Sequence, residues 1–495
     1  MKGRRSFLFM ITAAIPFLAA PAWAQSMGAG AASGGASTSA SQPATQLTSP
    51  QPAAAQSQNP YSGSVPSSPV PGVLKLSLQG AIDRGLKQNL GQLLASADVQ
   101  SARGQRWQQL SALLPHVSAS PYIDVSQVNL KEFGFSFPSL PGVSVPTIVG
   151  PFSYFDARAS LTQNLFDWKA VEGERAATQR LQSSEHTYKD ARDLVVLAVG
   201  YNYLLAIADE ASIQTAQAQV NTAQALYNQA EDQVQAGTSP AIDALRSHVE
   251  LQTRQQQLIQ AKNDFAIQKL TLARVIGLAS GQQFDLTDKS PYQPFEGVTL
   301  DEALKRAYAS RSDYQAALAG VHAAEYSVGA AKAERYPSLS FNADYGVAGQ
   351  HPSQSHGVMD VRATLNVPIF TGGATHGDIL QAQAQLDQSR ERLDNLRAQI
   401  DQDVRTALFN LQSSSDQVNV AKSNIDLAQQ TLSQSRDRFS AGVTDSVEVV
   451  QAEEQVAAAN QQYISSLYNF NYAKIALARA MGAAEEGVKE YFKGH

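Results

Sequence analysis

The chain carries the same succession of segments twice, and this internal duplication constrains its fold more than any other feature. Three offsets relate the two copies: 222 residues up to Pro115, 204 residues around Asp156, and 205 residues beyond Trp168. The matched pairs are Leu78 with Leu300, Pro115 with Pro337, Asp156 with Asp360, Arg158 with Arg362, and Gly237 with Gly442. A period of about 200 residues is too long for a stacked solenoid. It predicts two related half-units that contain the same elements.

Four short segments alternate between apolar residues at odd positions and polar residues at even positions. Such a period of two, with one apolar and one polar face, indicates β-strands. The strands are expected over about 117–128, 153–165, 338–347 and 359–369. An ordinary sheet with one solvated face would need a second layer over its apolar face, and the chain offers no further strands for it. Strands of about 9–11 residues have the length that crosses a bilayer at a tilt.

Four strands are too few for a closed barrel, which needs about eight. An open sheet in lipid would leave edge N–H and C=O groups unpaired, at several kcal/mol each. The strands are therefore expected to pair across subunits, giving 8 strands from two copies or 12 from three. The odd positions would contact lipid and the even positions would line a watery lumen. The charged residues predicted for that lumen are Asp124, Asp156, Arg158, Asp344, Asp360 and Arg362.

After each strand pair, apolar residues recur every seven positions, which indicates left-handed coiled-coil helices. Long helices are expected over about 168–236, 241–276, 373–438 and 446–481, with a glycine-bearing turn inside each pair. We find no apolar run of 18 residues after the N-terminal segment, so the helices are expected to project into water and to continue the tube. The alternative is a soluble periplasmic coiled-coil adaptor without channel activity, which leaves the strands without a role.

The two ends of the chain indicate an exported protein. Residues 1–24 combine the basic residues Lys2, Arg4 and Arg5 with an apolar stretch and an Ala-x-Ala site, which is typical of a signal peptide for the general or the twin-arginine route. Residues 25–72 are rich in Ala, Ser, Gln and Pro, and we expect a disordered leader there. The remaining divisions are a first repeat (73–277), a linker (278–298), a second repeat (299–482) and a C-terminal tail (483–495).

Composition excludes several classes of function. With 38 basic and 44 acidic residues the net charge is -6, so no basic field predicts nucleic-acid binding. The absence of cysteine excludes disulfides, thiol nucleophiles and a lipid on an N-terminal cysteine. No phosphate-binding loop, H-E-x-x-H or G-x-S-x-G motif occurs, so we expect neither catalysis nor a cofactor. A metal site at His351 and His356 is a weaker interpretation than a solvated turn, because no close set of ligands accompanies them.

At the junctions between strands and helices the chain resembles the TolC-type outer-membrane efflux protein family. The resemblance covers about 76–482 and both halves. The segments that carry it are Leu113-Leu114-Pro115, Tyr336-Pro337-Ser338-Leu339, Val367-Pro368-Ile369-Phe370-Thr371-Gly372-Gly373, and the two turns Gln235-Ala236-Gly237 and Ser440-Ala441-Gly442. Each segment alone is weak, but the ordered and duplicated set is specific.

The resemblance implies a homotrimeric α+β membrane protein. Three chains, with four strands each, would form a 12-stranded barrel in the outer membrane of a Gram-negative type of cell, continued by a helical barrel in the periplasm. It further implies docking to a periplasmic adaptor and to an inner-membrane pump of the RND, ABC or MFS type. Such a duct conducts efflux or secretion substrates passively and performs no covalent chemistry.

By the same resemblance, a ring of acids constricts the periplasmic end of the channel. Glu448 lies six residues after Gly442, and Asp243 lies six after Gly237, so both are predicted gate residues. Gln451 stands at the position of a second ring acid, and Thr444 stands where better-known members carry an arginine. The alternative is that both acids are solvated residues at helix starts, where the helix dipole favours them. The predicted adaptor-docking tips are Gly237 with Thr238, and Gly442 with Val443.

Overall fold

The computed structural model describes residues 59–132, 134, 146–288, 295, 297–444 and 446–491. Four parts of the chain lie outside the described residues. They are the predicted signal peptide, the first part of the predicted leader, most of the loop after the strand predicted over 117–128, and the end of the predicted tail. The elements of the first half are β1 (Leu74–Leu76), α1 (Leu78–Gln88), α2 (Leu90–Ser111), β2 (His116–Asn129), β3 (Ile148–Phe166), α3 (Trp168–Gln235), α4 (Ala241–Ile276) and β4 (Phe284–Leu286). Those of the second half are α5 (Leu300–Ser310), α6 (Ser312–Ala333), β5 (Ser338–Gly349), β6 (His356–Asn366), α7 (Ala374–Ser440), α8 (Ser446–Ala480) and α9 (Ala484–Tyr491).

The four long strands form one antiparallel sheet in the order β2-β3-β5-β6. Apart from the bulges after Ser126 on β2 and after Asn164 on β3, its register places even positions opposite even positions, as in Tyr122 with Asp156, Ser160 with Asp344, and Asp344 with Asp360. Because side chains alternate between the faces of a strand, all six charged residues predicted for the lumen lie on one face of this sheet. Within the described chain, β2 and β6 each have a neighbour on one side only, so both outer edges are free.

The opposite face of the sheet is apolar and exposed. Val117 on β2 is 74% exposed, and Ile123, Val125, Met359 and Leu365 are exposed as well. A soluble monomer rarely leaves a continuous apolar surface of this kind open to water. The sheet therefore has the two-sided character that the alternation predicts.

The helices bury their heptad positions, and the centre of helix α3 forms the main core. Val195, Val199 and Tyr203 on α3 are fully buried, in a cluster that includes residues of α1, α4, α8 and α9. Helix α3 contains a stretch long and apolar enough to cross a membrane, so the expectation that no such run follows the N-terminal segment is wrong. This stretch is 44% buried within the protein, and packing in the main core accounts for its buried side chains.

The predicted leader ends too late in the sequence. Residues 59–72 lie against the main core around Val195, Val199 and Tyr203, which we call the waist. Asn89 donates its side-chain N–H to the carbonyl of Tyr61 at 2.8 Å, and the hydroxyl of Ser67 donates to the carbonyl of Gly277 at 2.9 Å. The ring of Tyr61 fills the space beside Gly91, where a Cβ would lie 2.4 Å from the ring. One aromatic anchor and hydrogen bonds to backbone carbonyls thus order a segment whose composition alone predicts disorder.

The predicted linker and tail also contain structure. Strand β4, inside the predicted linker 278–298, pairs in parallel with β1. Helix α9, inside the predicted tail 483–495, buries Ala484 and Val488 in the waist core. These elements are too short for a periodic pattern, and their order comes from contacts with residues far away in the sequence.

Candidate functional site

The long helices of each half turn at a glycine. Helix α3 ends at Gln235 and Gly237 follows with a φ of +75°, while α7 ends at Ser440 and Gly442 follows with a φ of +71°. Glycine adopts this left-handed conformation without the cost that a Cβ imposes. The two tips therefore share one backbone design, and the predicted docking residue Val443 is exposed beside its glycine.

Each tip also holds an acid by a hydroxyl group four residues before it. Ser239 donates its hydroxyl to a carboxylate oxygen of Asp243 at 2.8 Å, and Thr444 donates to Glu448 at 2.6 Å. Two of the predicted gate residues, Glu448 and Thr444, are thus hydrogen-bonded to each other, and Asp243 is hydrogen-bonded to Ser239. Gln451 lies about one turn further along α8 and is exposed.

The two acids differ in their surroundings, and Asp243 is the buried one. Its side chain is 7% exposed, and it accepts a hydrogen bond of 2.8 Å from the hydroxyl of Ser446, which is itself fully buried. The guanidinium of Arg246 lies 3.7 Å away. Asp243 therefore links the start of α4 to the start of α8, and the interpretation of a solvated helix-start acid is wrong for this residue.

Glu448 is more open, with a side chain 35% exposed. Besides Thr444, it accepts a hydrogen bond from Ser435 at 3.3 Å and has the guanidinium of Arg438 at 3.6 Å. The hydrogen bond from Thr444 is the main cause that lowers the pKa of Glu448, and the charge of Arg438 and the bond from Ser435 act in the same direction. Glu448 is thus held as a carboxylate at neutral pH. A ring of such acids involves several copies and stays a prediction.

A second layer of charges, which the sequence predictions do not include, lies further along the helices from the tips. Glu250 and Arg254 on α4 form a buried ion pair at 2.5 Å, and Arg436 on α7 pairs with the buried Glu453 on α8 at 3.0 Å. Burial is the largest effect on Glu453 and raises its pKa, with the nearby charge of Glu250 acting in the same direction. Charged residues on the inward side of a heptad helix are the signal that could have revealed this layer.

On the polar face of the sheet, an ion-pair chain joins the two repeats. Asp156 is buried, pairs with Arg158 at 2.7 Å and accepts a hydrogen bond from Tyr154 at 2.9 Å. Arg158 on β3 then reaches Asp344 on β5 at 3.2 Å. This face presents charged groups that are compatible with water on one side of a membrane-spanning sheet.

The remaining charged residues of this face lie on the two outer strands. Asp360 and Arg362 on β6 pair at 3.3 Å and are exposed. Within the described part of the chain, the carboxylate of Asp124 on β2 has no hydrogen-bonded or ion-paired side-chain partner. The charged groups at the free edges therefore have fewer ion-pair and hydrogen-bond partners than those in the middle of the sheet.

The turn that joins β5 to β6 carries the two histidines considered for a metal. The ring of His351 lies 3.2 Å from the hydroxyl of Ser153, and His356 begins β6. Among the described residues, no group of three or more His, Asp or Glu side chains has an arrangement that could hold a metal ion.

Comparison with known proteins places this architecture among outer-membrane channels. The family model described as "Outer membrane efflux protein" matches residues 82–278 and 303–483. The chain is 22% identical over 333 residues to the alkaline protease secretion protein AprF of Pseudomonas aeruginosa, covering 66% of this chain and 69% of that protein. It is 24% identical over 424 residues to the toluene efflux pump outer membrane protein TtgF of Pseudomonas putida, covering 82% and 83%.

Among solved structures, the outer membrane protein VceC of Vibrio cholerae superposes with a TM-score of 0.69 at 18% identity, covering 83% of this chain and 97% of that one. A likeness of this size over most of both chains confirms the predicted α+β fold. The two separate segments matched by the family model agree with the duplicated half-unit.

Proposed function

The chain belongs to the outer membrane efflux protein family and is an outer-membrane protein, and from this premise we propose that it forms the exit duct of a tripartite efflux or secretion system. In this proposal substrates pass from an inner-membrane pump through the helical barrel and then through the β-barrel. The chain itself supplies a passage and no chemical step.

The observation that carries the proposal is the sheet, with charged groups on one face, exposed apolar groups on the other and two free edges. Free edges cannot face lipid, because each unpaired backbone group there costs several kcal/mol. Pairing the edges of three copies gives 12 strands, an even number within the range of outer-membrane barrels. Two copies would give 8 strands, which also lies within that range. Because the chain belongs to the outer membrane efflux protein family, we propose the homotrimer, with lipid against the odd positions and water against the even positions.

The proposed gate is the pair of hairpin tips. Asp243 and Ser446 join the two hairpins of one chain, while the more exposed Glu448 is the acid available to a ring around the axis. Three copies of Glu448 near one axis would repel one another and attract cations. We propose that the closed duct is held by the link between Asp243 and Ser446, and that it selects ions through Glu448, with Thr444 orienting the carboxylate.

The proposed partners are a periplasmic adaptor at the tips and an inner-membrane pump of the RND, ABC or MFS type. The tip residues Gly237, Thr238, Gly442 and Val443 are exposed and form two tips per chain, which offers an adaptor repeated docking points. The matched relatives serve unlike cargoes by name, one a protease and one toluene. We propose accordingly that the pump, and not this chain, determines what the duct carries.

A soluble periplasmic adaptor is the second candidate. It would account for the long helices, but an adaptor in water has no use for Val117, Met359 and Leu365 exposed on one face of a sheet. The duct accounts for both the helices and the sheet.

The test is to purify the mature chain from outer membranes in detergent and to reconstitute it in planar lipid bilayers. The proposal expects a native mass of three chains and discrete conductance steps that divalent cations block. A detergent-free, monomeric protein that leaves the bilayers electrically silent would overturn the duct and favour the adaptor.

A further inference from the structure

The internal duplication extends to the hydrogen-bond register of the sheet. In the first hairpin Ala119 lies opposite Ala159. Adding the offset of 222 residues to the first and 204 to the second gives Phe341 and Ala363, and these two residues lie opposite each other in the second hairpin. The offset found up to Pro115 therefore continues through the strand that follows it. The two offsets together convert a register in one repeat into the register of the other.

The boundary between β3 and β5 is where the first repeat meets the second. There Arg158 lies opposite Gly346. In a closed ring of identical chains the second repeat meets the first repeat of the next chain through the free edges of β6 and β2, and the duplication extends the register of the inner boundary to that pairing. Moving Arg158 forward by 204 residues gives Arg362, and moving Gly346 back by 222 residues gives Asp124.

We propose that, in the assembled duct, β6 of one chain pairs antiparallel with β2 of the next in the register that sets Arg362 directly opposite Asp124 of the partner subunit. This inference rests on the proposed function, since it requires the sheets of neighbouring copies to join. It adds to that function a defined register and a specific ion pair between subunits.

The charges at the two edges are complementary in this register. Arg362 has a side chain that is 68% exposed and pairs only loosely with Asp360 of its own strand, at 3.3 Å. Asp124 is exposed and has no side-chain partner within the described part of the chain. Directly opposed residues have Cβ atoms about 4.5–5.5 Å apart, within reach of an arginine–carboxylate pair. Each edge thus offers the charge that the other lacks.

At the boundary between β3 and β5, inside the chain, the arginine also has a carboxylate partner on the facing strand. Arg158 faces a glycine and reaches Asp344, one position along the same face. On β2 the residue equivalent to Asp344 is Tyr122, and the residue equivalent to Gly346 is Asp124. The carboxylate thus lies two residues further along the strand in β2 than in β5. Each boundary therefore has one acid on the facing strand within reach of the arginine.

One difference between the boundaries follows from the same glycine. A Cβ on Gly346 would lie 2.1 Å from the carbonyl oxygen of Ala157, so β3 and β5 approach closely at that point. Asp124 carries a Cβ, and the boundary between subunits therefore has an ordinary strand separation there.

The apolar face is compatible with the same register. At the inner boundary Ala157 lies opposite Val347. The offsets carry these residues to Val361 and to Val125 of the partner subunit, which are 57% and 67% exposed in the single chain. Pairing in this register would set two exposed apolar side chains side by side across the boundary between subunits.

The chain contains no cysteine, so engineered cysteines can report the register directly. The double variant Arg362→Cys with Asp124→Cys is oxidised in outer-membrane vesicles and run on a non-reducing gel. Opposed residues of an antiparallel pair have Cα atoms about 4.5–5.5 Å apart, inside the range of about 4.4–6.8 Å for a disulfide. We expect covalent dimers and trimers, at least about fivefold more than from matched pairs of Arg362→Cys with Tyr122→Cys or with Ser126→Cys, whose diagonal distance is about 7–8 Å.

Charge reversal gives a second measurement without cysteine. Arg362→Asp should lower the temperature at which the oligomer dissociates in detergent, and adding Asp124→Arg should restore most of the loss. The single variant keeps both repeats and all strands. The control is therefore that its monomer has the same fold as the wild-type monomer.

The outcomes distinguish a failure of this register from a failure of the proposed function. Cross-linking chiefly through Tyr122→Cys or Ser126→Cys, in a protein that still conducts, would overturn this register and leave the duct intact. A conducting trimer in which none of the three pairs cross-links, or in which charge reversal is not rescued, would also overturn the inference alone. A monomeric chain without conductance would overturn the proposed function and the inference together.

Discussion

Ser446, the first residue of helix α8, donates its hydroxyl to Asp243 in the first turn of helix α4 across 2.8 Å, and both side chains are buried. This hydrogen bond spans 203 positions in sequence and joins the tips of the two hairpins in one chain. If closing the duct requires the hairpins to stay together, this bond is one of the contacts that must break on opening.

The variant Ser446→Ala tests this link. It leaves a buried carboxylate oxygen of Asp243 without its hydroxyl donor, which costs about 1–3 kcal/mol in the closed arrangement. Single-channel recording should show a larger open fraction, by several fold. The matched control is Ser440→Ala at the same tip, because that exposed hydroxyl donates to the carbonyl of Asp437 in its own helix and has no other hydrogen-bond partner in the described part of the chain. Equal open fractions for both variants would remove the link from the gate.

Glu448 is expected to control block by divalent cations. Glu448→Ala should raise the conductance and reduce the block, since it removes the proposed ring of charge. A block that is unchanged in this variant would exclude Glu448 from the constriction.

The pH dependence of this block separates the role of Thr444. The hydrogen bond from Thr444 lowers the pKa of Glu448 below its usual 4.5, so the carboxylate stays charged as the pH falls until that lowered pKa is reached. Thr444→Val removes the bond, which moves the pKa up again, so this variant should lose the cation block at a higher pH than the wild type. Titrating the block from pH 7 downwards measures the difference, with Glu448→Gln as the variant insensitive to pH. Coincident titrations of wild type and Thr444→Val would contradict the assigned cause.

Much of the fold could be predicted because it depends on local periods. The period of two along the strands is a property of the extended backbone, so the alternation alone predicts that Asp156, Arg158 and Asp344 lie on one polar face. The heptads located the long helices for the same reason. What no period could reveal is a contact between distant residues, such as the burial of Asp243 by Ser446 or the anchoring of the segment before β1 by Tyr61.

The layer of ion pairs above the tips should make stability depend on pH. Arg436→Ala leaves the buried Glu453 without its partner, which we expect to cost about 1–3 kcal/mol at neutral pH, where the acid is charged. Burial raises the pKa of Glu453, so lowering the pH protonates it and should reduce the loss. Thermal unfolding of both proteins at pH 7.5 and pH 5 measures this. Arg438→Ala, which removes a charge from the same helix near the more exposed Glu448, should lack this dependence; an equal loss at both pH values in Arg436→Ala would argue against the pairing.

A glycine after helix α8 is expected to be essential for the waist of the protein. Gly482 has a φ of +76°, and a Cβ there would lie 2.5 Å from the backbone nitrogen of Arg311, which is buried and pairs with Asp313 and Asp403. Gly482→Ala therefore imposes a left-handed conformation on a residue with a Cβ and pushes α8 away from the start of α6, at a cost of about 2 kcal/mol or more. The matched control is Gly377→Ala in helix α7, where a Cβ meets open space and should stabilise the helix by about 0.5–1 kcal/mol. Denaturant unfolding of the two variants should shift in opposite directions, and a neutral Gly482→Ala would contradict the close contact between the turn after α8 and the backbone of Arg311.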